Sequence, residues 1–262
     1  MYIKPKKSLG QNFLTDKNIL EKITSLTEIK NKDVLEVGPG SGNLTEYILK
    51  KNPSKLFVIE KDDLLCSFLK DKFSDKIEAI NQDVLKLNEQ NISKNKLIVF
   101  GNLPYNISTE ILCNWILKLK SRVWFDELIL MFQKEVAERI LAKFNTRDYG
   151  RLSIISQWRL NIKKILDIKP SSFYPKPKID SSLLHFVPKN NYVQINNSKN
   201  LELITRVFFN QRRKMIKKPL NQLFKNPLNV CEKFNLDLNL RPQNLSFEKY
   251  YLLAKEYESL RG

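Results

Sequence analysis

The stretch "DVLEVGPGSGNLT", residues 33–45, sets an apolar run directly against three alternating glycines. "DVLEV" reads as a buried strand of a parallel sheet, and "NLTEYILKK" behind it has helical spacing. Gly38, Gly40 and Gly42 fall in the turn between them, where an α/β sheet brings backbone close to a nucleotide-like ligand. The spacing G-x-G-x-G departs from the dinucleotide pattern G-x-G-x-x-G, and the turn lacks the Lys-Ser/Thr of a triphosphate loop. A glycine-rich turn also serves simple tight packing, so this one fixes the fold class more firmly than the ligand.

Outward from that turn the same alternation continues. "LFVIE" (56–60), "IEAINQD" (77–83), "KLIVF" (96–100) and "ELILMF" (127–132) read as strands, with "DLLCSFLKDKF" and "TEILCNWILKLK" helical between them. Alternating β and α at this pitch implies an α/β domain with a parallel sheet and helices on both faces. "IKKILDIK" (162–169) and "SSLLHFV" (181–187), separated by a proline-rich turn, suggest an antiparallel edge. After the Asn-rich polar linker "PKNNYVQINNSKN" (188–200) strand signals disappear. "LELITRVFFNQRRKMI", "LNVCEKFNL" and "SFEKYYLLAKEYESL" all look helical. The expected division is therefore a sheet domain at 1–187 and a small all-helical C-terminal domain at 199–262.

With 262 residues the chain can bury a substantial core. No apolar run approaches the ~20 residues of a membrane span, and the basic N-terminus lacks a signal-peptide core, so a cytoplasmic protein with no membrane contact is expected. Cys66, Cys113 and Cys231 are odd in number and far apart, as suits buried thiols in a reducing compartment. With the single histidine, His185, in a strand-like run, neither a zinc site nor a triad hydrolase has its residues, and no metal is expected.

A net charge of +17 points to a polyanionic partner. Lysines outnumber arginines 35 to 10, as AT-rich coding alone would produce. The distribution weighs the other way. Residues 1–185 carry 31 basic and 22 acidic side chains (net +9), whereas 186–262 carry 14 and 6 (net +8 in 77 residues). The more basic tail is the expected nucleic-acid face.

Two carboxylates narrow the ligand. Glu60 ends the second strand about 20 residues past the glycines, where an acid can take both ribose hydroxyls. Asp83 ends the third strand and can accept from an exocyclic amine. Each alone reads as an exposed strand-end charge. Together with the glycine turn they imply an adenosine-containing ligand without phosphate, which S-adenosylmethionine fits.

The fourth strand runs into "GNLPYN", Gly101 to Asn106, which holds more chemistry than a turn requires. A nucleobase amine is a poor nucleophile because its lone pair is delocalised into the ring. The Asn102 side-chain oxygen and the backbone carbonyl of Leu103 or Pro104 can accept its two N–H bonds and localise that pair. Tyr105 can stack on the base. Catalysis would then be mostly positioning and electrostatics.

With these residues in view, the chain resembles the ribosomal RNA adenine N6,N6-dimethyltransferase family nearly end to end. "KKSLGQNFLTD" (6–16), "LEVGPGSGNLT", "VIEKD", "NQDVL", "GNLPYNIST" and "FYPKPKIDSSLLHFVP" (173–188) are similar to its successive motifs. The resemblance implies a Rossmann-like S-adenosylmethionine-dependent methyltransferase sheet. It implies donor contacts from Asn12, Leu14 and Gly38, ribose binding by Glu60 and donor-adenine binding by Asp83. Asn102 would lie between donor and target amine, and Tyr105 and Phe173 would form the base pocket. "NLPY" and the "RRK" of 212–214 lean to the housekeeping branch. That branch dimethylates two adjacent adenosines near the 3′ end of small-subunit ribosomal RNA, in a loop of the assembling small subunit. "MIKKPL" departs from that branch's usual continuation. Arg212, Arg213 and Lys214 read either as a solvated helix face or as phosphate contacts; a domain this basic favours the latter, with Lys6, Lys7, Lys176 and Lys178 extending the surface. The expected partner is small-subunit RNA, bound by a monomer. The alternatives are a large-subunit methyltransferase conferring macrolide resistance and a non-catalytic assembly factor.

Overall fold

The computed structural model describes residues 5–6, 10–119 and 123–261; Lys7 and its neighbours Ser8 and Leu9 lie outside the described residues. In chain order the elements are β1 (Phe13–Leu14), α1 (Lys17–Thr24), β2 (Asp33–Val37), α2 (Asn43–Leu49), β3 (Lys55–Glu60), α3 (Asp63–Phe73), β4 (Glu78–Asn81), β5 (Leu97–Gly101), α4 (Ser108–Lys118) and β6 (Phe125–Gln133). They continue with α5 (Lys134–Leu141), α6 (Arg151–Ser156), β7 (Leu160–Ile168), β8 (Phe173–Tyr174), β9 (Ser181–Pro188), α7 (Ser198–Phe209), α8 (Lys217–Leu223), α9 (Pro227–Phe234) and α10 (Phe247–Ser259).

Seven strands form one sheet in the order β4-β3-β2-β5-β6-β9-β7, and β1 pairs separately with β8. The pairs from β4 to β6 are parallel, and β9 joins β6 antiparallel. β2 and β5 are buried along their whole length, which only a strand covered on both faces can be, and this explains their continuous apolar sequences. From β2 the chain steps outward to β3 and β4, then returns to the other side of β2 for β5. The strand order reverses between β2 and β5, and a crevice opens beyond their carboxyl ends. Gly38 follows β2 and Asn102 follows β5, so the topology delivers both to that crevice.

The expected antiparallel addition is present, but its later strand lies inside. β9 is buried through most of its length, whereas β7 carries the exposed Lys163 and Lys164 and forms the edge. Charged edge side chains discourage pairing with another chain. Ser182 on β9 donates to Asp167 on β7 at 2.6 Å.

The chain divides into two compact units. The first comprises the described residues up to Asn114, Leu119–Ala137 and Ile162–Pro188. The second comprises Trp115–Lys118, Glu138–Asn161 and everything after Pro188. It is built on an aromatic core in which Tyr149, fully buried, packs edge-on to Phe247 with 5.1 Å between centroids, and Phe208 meets Tyr250 at 5.5 Å. Tyr149 and Tyr250 bury their hydroxyls by donating to the Leu245 and Pro242 carbonyls. The second unit thus differs from the sequence expectation by taking in α6 and the residues around it. The Asn-rich stretch is also no free linker. Trp158 donates to the Val193 carbonyl at 2.8 Å, Arg159 donates to the Tyr192 hydroxyl at 2.9 Å, and Ile195 is buried.

Candidate active site

One cavity at the carboxyl ends of β2, β3 and β5 is lined by Asn12, Leu14, Gly38, Glu60, Asp83, Asn102 and Tyr105. Seven of the eight residues expected around donor and target amine, all but Phe173, therefore meet in one place. The glycine turn has both the roles considered for it. Gly40 has φ +57°, and a Cβ there would lie 2.6 Å from the Phe13 ring, so β1 closes directly over the turn. β1 itself is held by β8 and by the Asn43 amide, which donates to the Leu14 carbonyl at 2.7 Å. The "QNFL" stretch, given a role only by resemblance, thus ends in a short strand in the cavity wall.

Glu60 is 8% exposed, and its carboxylate accepts from the N–H groups of Asp62 at 2.9 Å and Gly40 at 3.3 Å. Burial raises its pKa; the backbone hydrogen bonds act in the opposite sense. Asp83 is held the other way. The Lys61 ammonium at 2.7 Å keeps its carboxyl below the usual range, and it also accepts from the Leu85 N–H at 3.0 Å. A carboxylate offers about four lone-pair sites, so each retains acceptor capacity toward the cavity.

Beyond β5 the Asn102 amide donates through Nδ2 to the Asn12 carbonyl at 2.7 Å, which turns Oδ1 into the group available to a ligand. The Pro104 carbonyl accepts from the Ile107 N–H at 3.1 Å and so closes the turn into α4. The Tyr105 hydroxyl bonds the fully buried Ser181 hydroxyl at 2.6 Å, which anchors the ring to the first residue of β9. Burial raises the phenol pKa, so Tyr105 is neutral.

Other expected residues lie elsewhere. Phe173 is 2% exposed in the core with Leu14, Ile168 and Leu183, and it is absent from the cavity lining. The two-residue period of β8 turns Phe173 inward and Tyr174, 52% exposed, outward. The "RRK" segment is not a helix face: α7 ends at Phe209 and α8 begins at Lys217. Pro219 would clash with the carbonyl of residue 215 in a continuous helix, so the chain breaks upstream and Pro219 sits in the first turn of α8. Arg212 is half-buried and donates to the Thr146 and Arg147 carbonyls and to Gln243. Arg213 and Lys214 are exposed, with no ion pair among the described residues. Lys6 is tied to Asp62 at 2.8 Å. His185 bonds Glu127 across β6 and β9, away from the cavity. Cys66 and Cys231 are buried free thiols, as expected, whereas Cys113 is only partly buried. Among the described residues no helix is long and apolar enough to cross a membrane, and no acidic, histidine or cysteine cluster could hold a metal.

A family model described as ribosomal RNA adenine dimethylase matches residues 3–259. The chain belongs to the ribosomal RNA adenine dimethylase family. It is 65% identical to the ribosomal RNA small subunit methyltransferase A of Pelagibacter ubique (strain HTCC1062), over 100% of both chains. Its fold is similar to the crystal structure of a dimethyladenosine transferase from Plasmodium falciparum, with TM-score 0.79 and 28% identity over 94% of this chain and 97% of that one. The crystal structure of the 23S rRNA methyltransferase ErmE is a more remote likeness. It has TM-score 0.67 and 21% identity over 94% of this chain and 98% of that one, and shows the shared fold.

In this family member three residues that sequence reasoning passed over complete the site: Phe13 over the turn, Ser181 behind Tyr105, and Glu36. Glu36 lies in β2 two residues before Gly38, is 1% exposed, lines the cavity and accepts from the Thr45 hydroxyl at 2.6 Å. An acid set between Leu35 and Val37 in a strand read as buried was the available signal. Burial pushes its carboxyl from 4.5 up to about 8, against the Thr45 hydrogen bond. The folded chain therefore holds a proton that the unfolded chain releases. The resulting stability is complete below the unfolded pKa and is lost as pH rises toward the folded one. One such group changes unfolding free energy by at most about 1.4 kcal/mol per pH unit. Glu36→Gln should therefore gain on the parent by about 2 kcal/mol or more between pH 5 and 8, read by urea unfolding at both pH values. A difference that stays flat across this range would show that Glu36 is ionised in the fold.

Proposed function

We propose that this protein transfers methyl groups from S-adenosylmethionine to N6 of two adjacent adenosines near the 3′ end of small-subunit ribosomal RNA, acting as a cytoplasmic monomer on the assembling subunit. The observation that carries this reading is that the amide, carbonyl and phenol of 102–105 share one cavity with the glycine turn and Glu60. The full-length likeness to a protein named for the small subunit supports the choice of RNA.

The cavity suits an adenosine-type donor. Backbone approaches closely at Gly38 and Gly40, and a buried carboxylate is held by two N–H groups. Lys61, the lysine in the lining, is already paired with Asp83. Bound here, S-adenosylmethionine would supply an electrophilic methyl group. Glu60 would take the ribose hydroxyls and Asp83 the donor's adenine amine, with Asn12 and Leu14 closing the site. Asn102 Oδ1 and the Leu103 carbonyl would accept the two N–H bonds of the target amine, because the Pro104 carbonyl is engaged by Ile107. Tyr105 would stack on the base with its ring fixed by Ser181. No strong base is required, since the nitrogen loses its proton readily once it has become cationic.

Arg213 and Lys214 would contact phosphate, whereas Arg212 serves the fold. Replacing Arg213 and Lys214 together by alanine should make the salt dependence of RNA binding shallower by about one unit of slope per contact. Arg212→Ala should instead lower unfolding stability by about 1–3 kcal/mol, because it leaves carbonyls unpaired. An unchanged salt slope in the double variant would remove this cluster from the RNA interface.

The deciding experiment offers labelled donor with unmethylated small subunits, large subunits and free RNA, followed by nucleoside mass spectrometry. Dimethyladenosine in small-subunit RNA is the expected product. Label confined to large-subunit RNA would overturn the choice of substrate, and no label in any RNA would leave an assembly factor.

A further inference from the structure

We infer that Tyr174, Lys176 and Lys178 form a docking strip for the nucleotide next to the target adenosine, an inference that rests on the RNA-methylating reading above. β8 pairs antiparallel with β1, placing Tyr174 opposite Phe13 and Phe173 opposite Leu14. Phe13 and Leu14 both line the cavity, so Tyr174 stands on the strand that borders its wall. Its ring is 52% exposed, although its neighbour Phe173 is 2% exposed. From Tyr174 the exposed positions recur at Lys176 and Lys178, with Pro175 and Pro177 partly buried between them. Each proline fixes its own φ and removes an N–H, so the segment offers no donor at these two positions for a further strand to pair with.

The chemistry of this strip is specific. One exposed aromatic ring followed by two exposed ammonium groups matches a single-stranded nucleotide: a π-face for the base and cations for its phosphates. Neither lysine joins an ion pair among the described residues, whereas the next charged residue, Asp180, is taken by Lys169 at 2.8 Å. Two positive charges therefore remain to meet an anion. A target base held at Tyr105 leaves the stack, and its neighbour must be unstacked as well. Tyr174 replaces the lost stacking partner. Selection of an unpaired loop would follow from this geometry without any hydrogen bond to the neighbouring base.

The test uses the full chain and whichever RNA the unaltered protein methylates. Donor binding is measured first by calorimetry and should match the parent in Tyr174→Ala, Tyr174→Phe and the double variant Lys176→Ala/Lys178→Ala. In methyl transfer, Tyr174→Ala should raise KM about tenfold with kcat within about twofold, and Tyr174→Phe should restore KM, because stacking needs the ring alone. The lysine variant should flatten the salt dependence of KM by about two units of slope. A KM unchanged in Tyr174→Ala, equal losses in the Ala and Phe variants, or an unchanged salt slope in the lysine variant would each overturn the strip. A loss seen with intact subunits and absent with protein-free ribosomal RNA would assign Tyr174 to a protein contact instead. Failure of the unaltered protein to methylate any RNA would bring down the parent reading, a result distinct from all of these.

Discussion

Asn102→Ala is expected to lower kcat for methyl transfer about a hundred- to a thousandfold, the effect of deleting one preorganised polar group at a reacting centre. The residue has two tasks, and both are visible in its hydrogen bonding. Nδ2 holds the Asn12 carbonyl at 2.7 Å, which leaves Oδ1 as the acceptor of a residue that lines the cavity. Removing the first should weaken donor binding only about fivefold, since a neutral hydrogen bond contributes about 1 kcal/mol net. Removing the second takes away an acceptor for the target amine, and that loss belongs to the chemical step. Asn102→Asp separates the two. It retains an oxygen for the amine but sets a carboxylate against the Asn12 carbonyl, so donor affinity should fall at least as far as in the alanine variant while kcat falls less. Measured by single turnover with donor binding by calorimetry, equal kcat losses in the two variants would end the amine-activation account.

The sheet was legible because its signals are local and repeated: apolar runs of strand length, each ending in a polar or glycine-rich turn. What composition concealed was placement that depends on distant partners. "SSLLHFV" suggested an antiparallel edge, yet β9 is interior, because β6 pairs with it on one side and β7 lies on the other, where Ser182 bonds Asp167. The Asn-rich stretch after Pro188 looked like a linker, because asparagine is polar wherever it occurs. Tyr192 and Val193 are what anchor it, and their partners lie more than 30 residues upstream. The break between α7 and α8 had a readable cause in Pro219, which an apolar periodicity continuing through "RVFFNQRRKMI" overrode.

At the site the strand-end residues were legible as a set because topology places successive carboxyl ends side by side. Residues that act on them were not. Ser181 lies 76 positions from Tyr105, and nothing in "DSSLL" announces that its second residue orients a phenol. Phe173 was assigned by resemblance to a pocket from which β8 turns it away, and Tyr174 received no role because only the strand register shows which of two adjacent rings faces out. Arg212 and Arg213 look alike in sequence. Their difference arises from carbonyls at 146 and 147, which the first reaches.

Gly40→Ala and Gly42→Ala separate the two meanings of the glycine turn, because both substitutions meet the same strain and only one meets the cavity. Gly40 and Gly42 have φ +57° and +76°, and an added Cβ at either comes within 2.6 Å of a phenylalanine ring. A side chain in this left-handed region costs about 1–2 kcal/mol, and the crowding adds about 1–3 kcal/mol, so both variants should unfold at distinctly lower urea. The rings differ in place. Phe73 belongs to α3, and Gly42 is outside the cavity lining, whereas Phe13 and Gly40 both line it and the Gly40 N–H donates to Glu60. Gly40→Ala should therefore weaken donor binding at least about tenfold beyond its stability loss, as a group in direct contact with the site does when displaced. Gly42→Ala should leave the affinity of the folded fraction near that of the parent. Adding Phe13→Ala to Gly40→Ala relieves the clash but not the backbone strain, so the double variant should be more stable than the two losses added, with a coupling of about 1 kcal/mol. Equal donor affinities in the two glycine variants would mean that the turn serves packing alone, and the reading of Glu60 as a ribose ligand would fall with it.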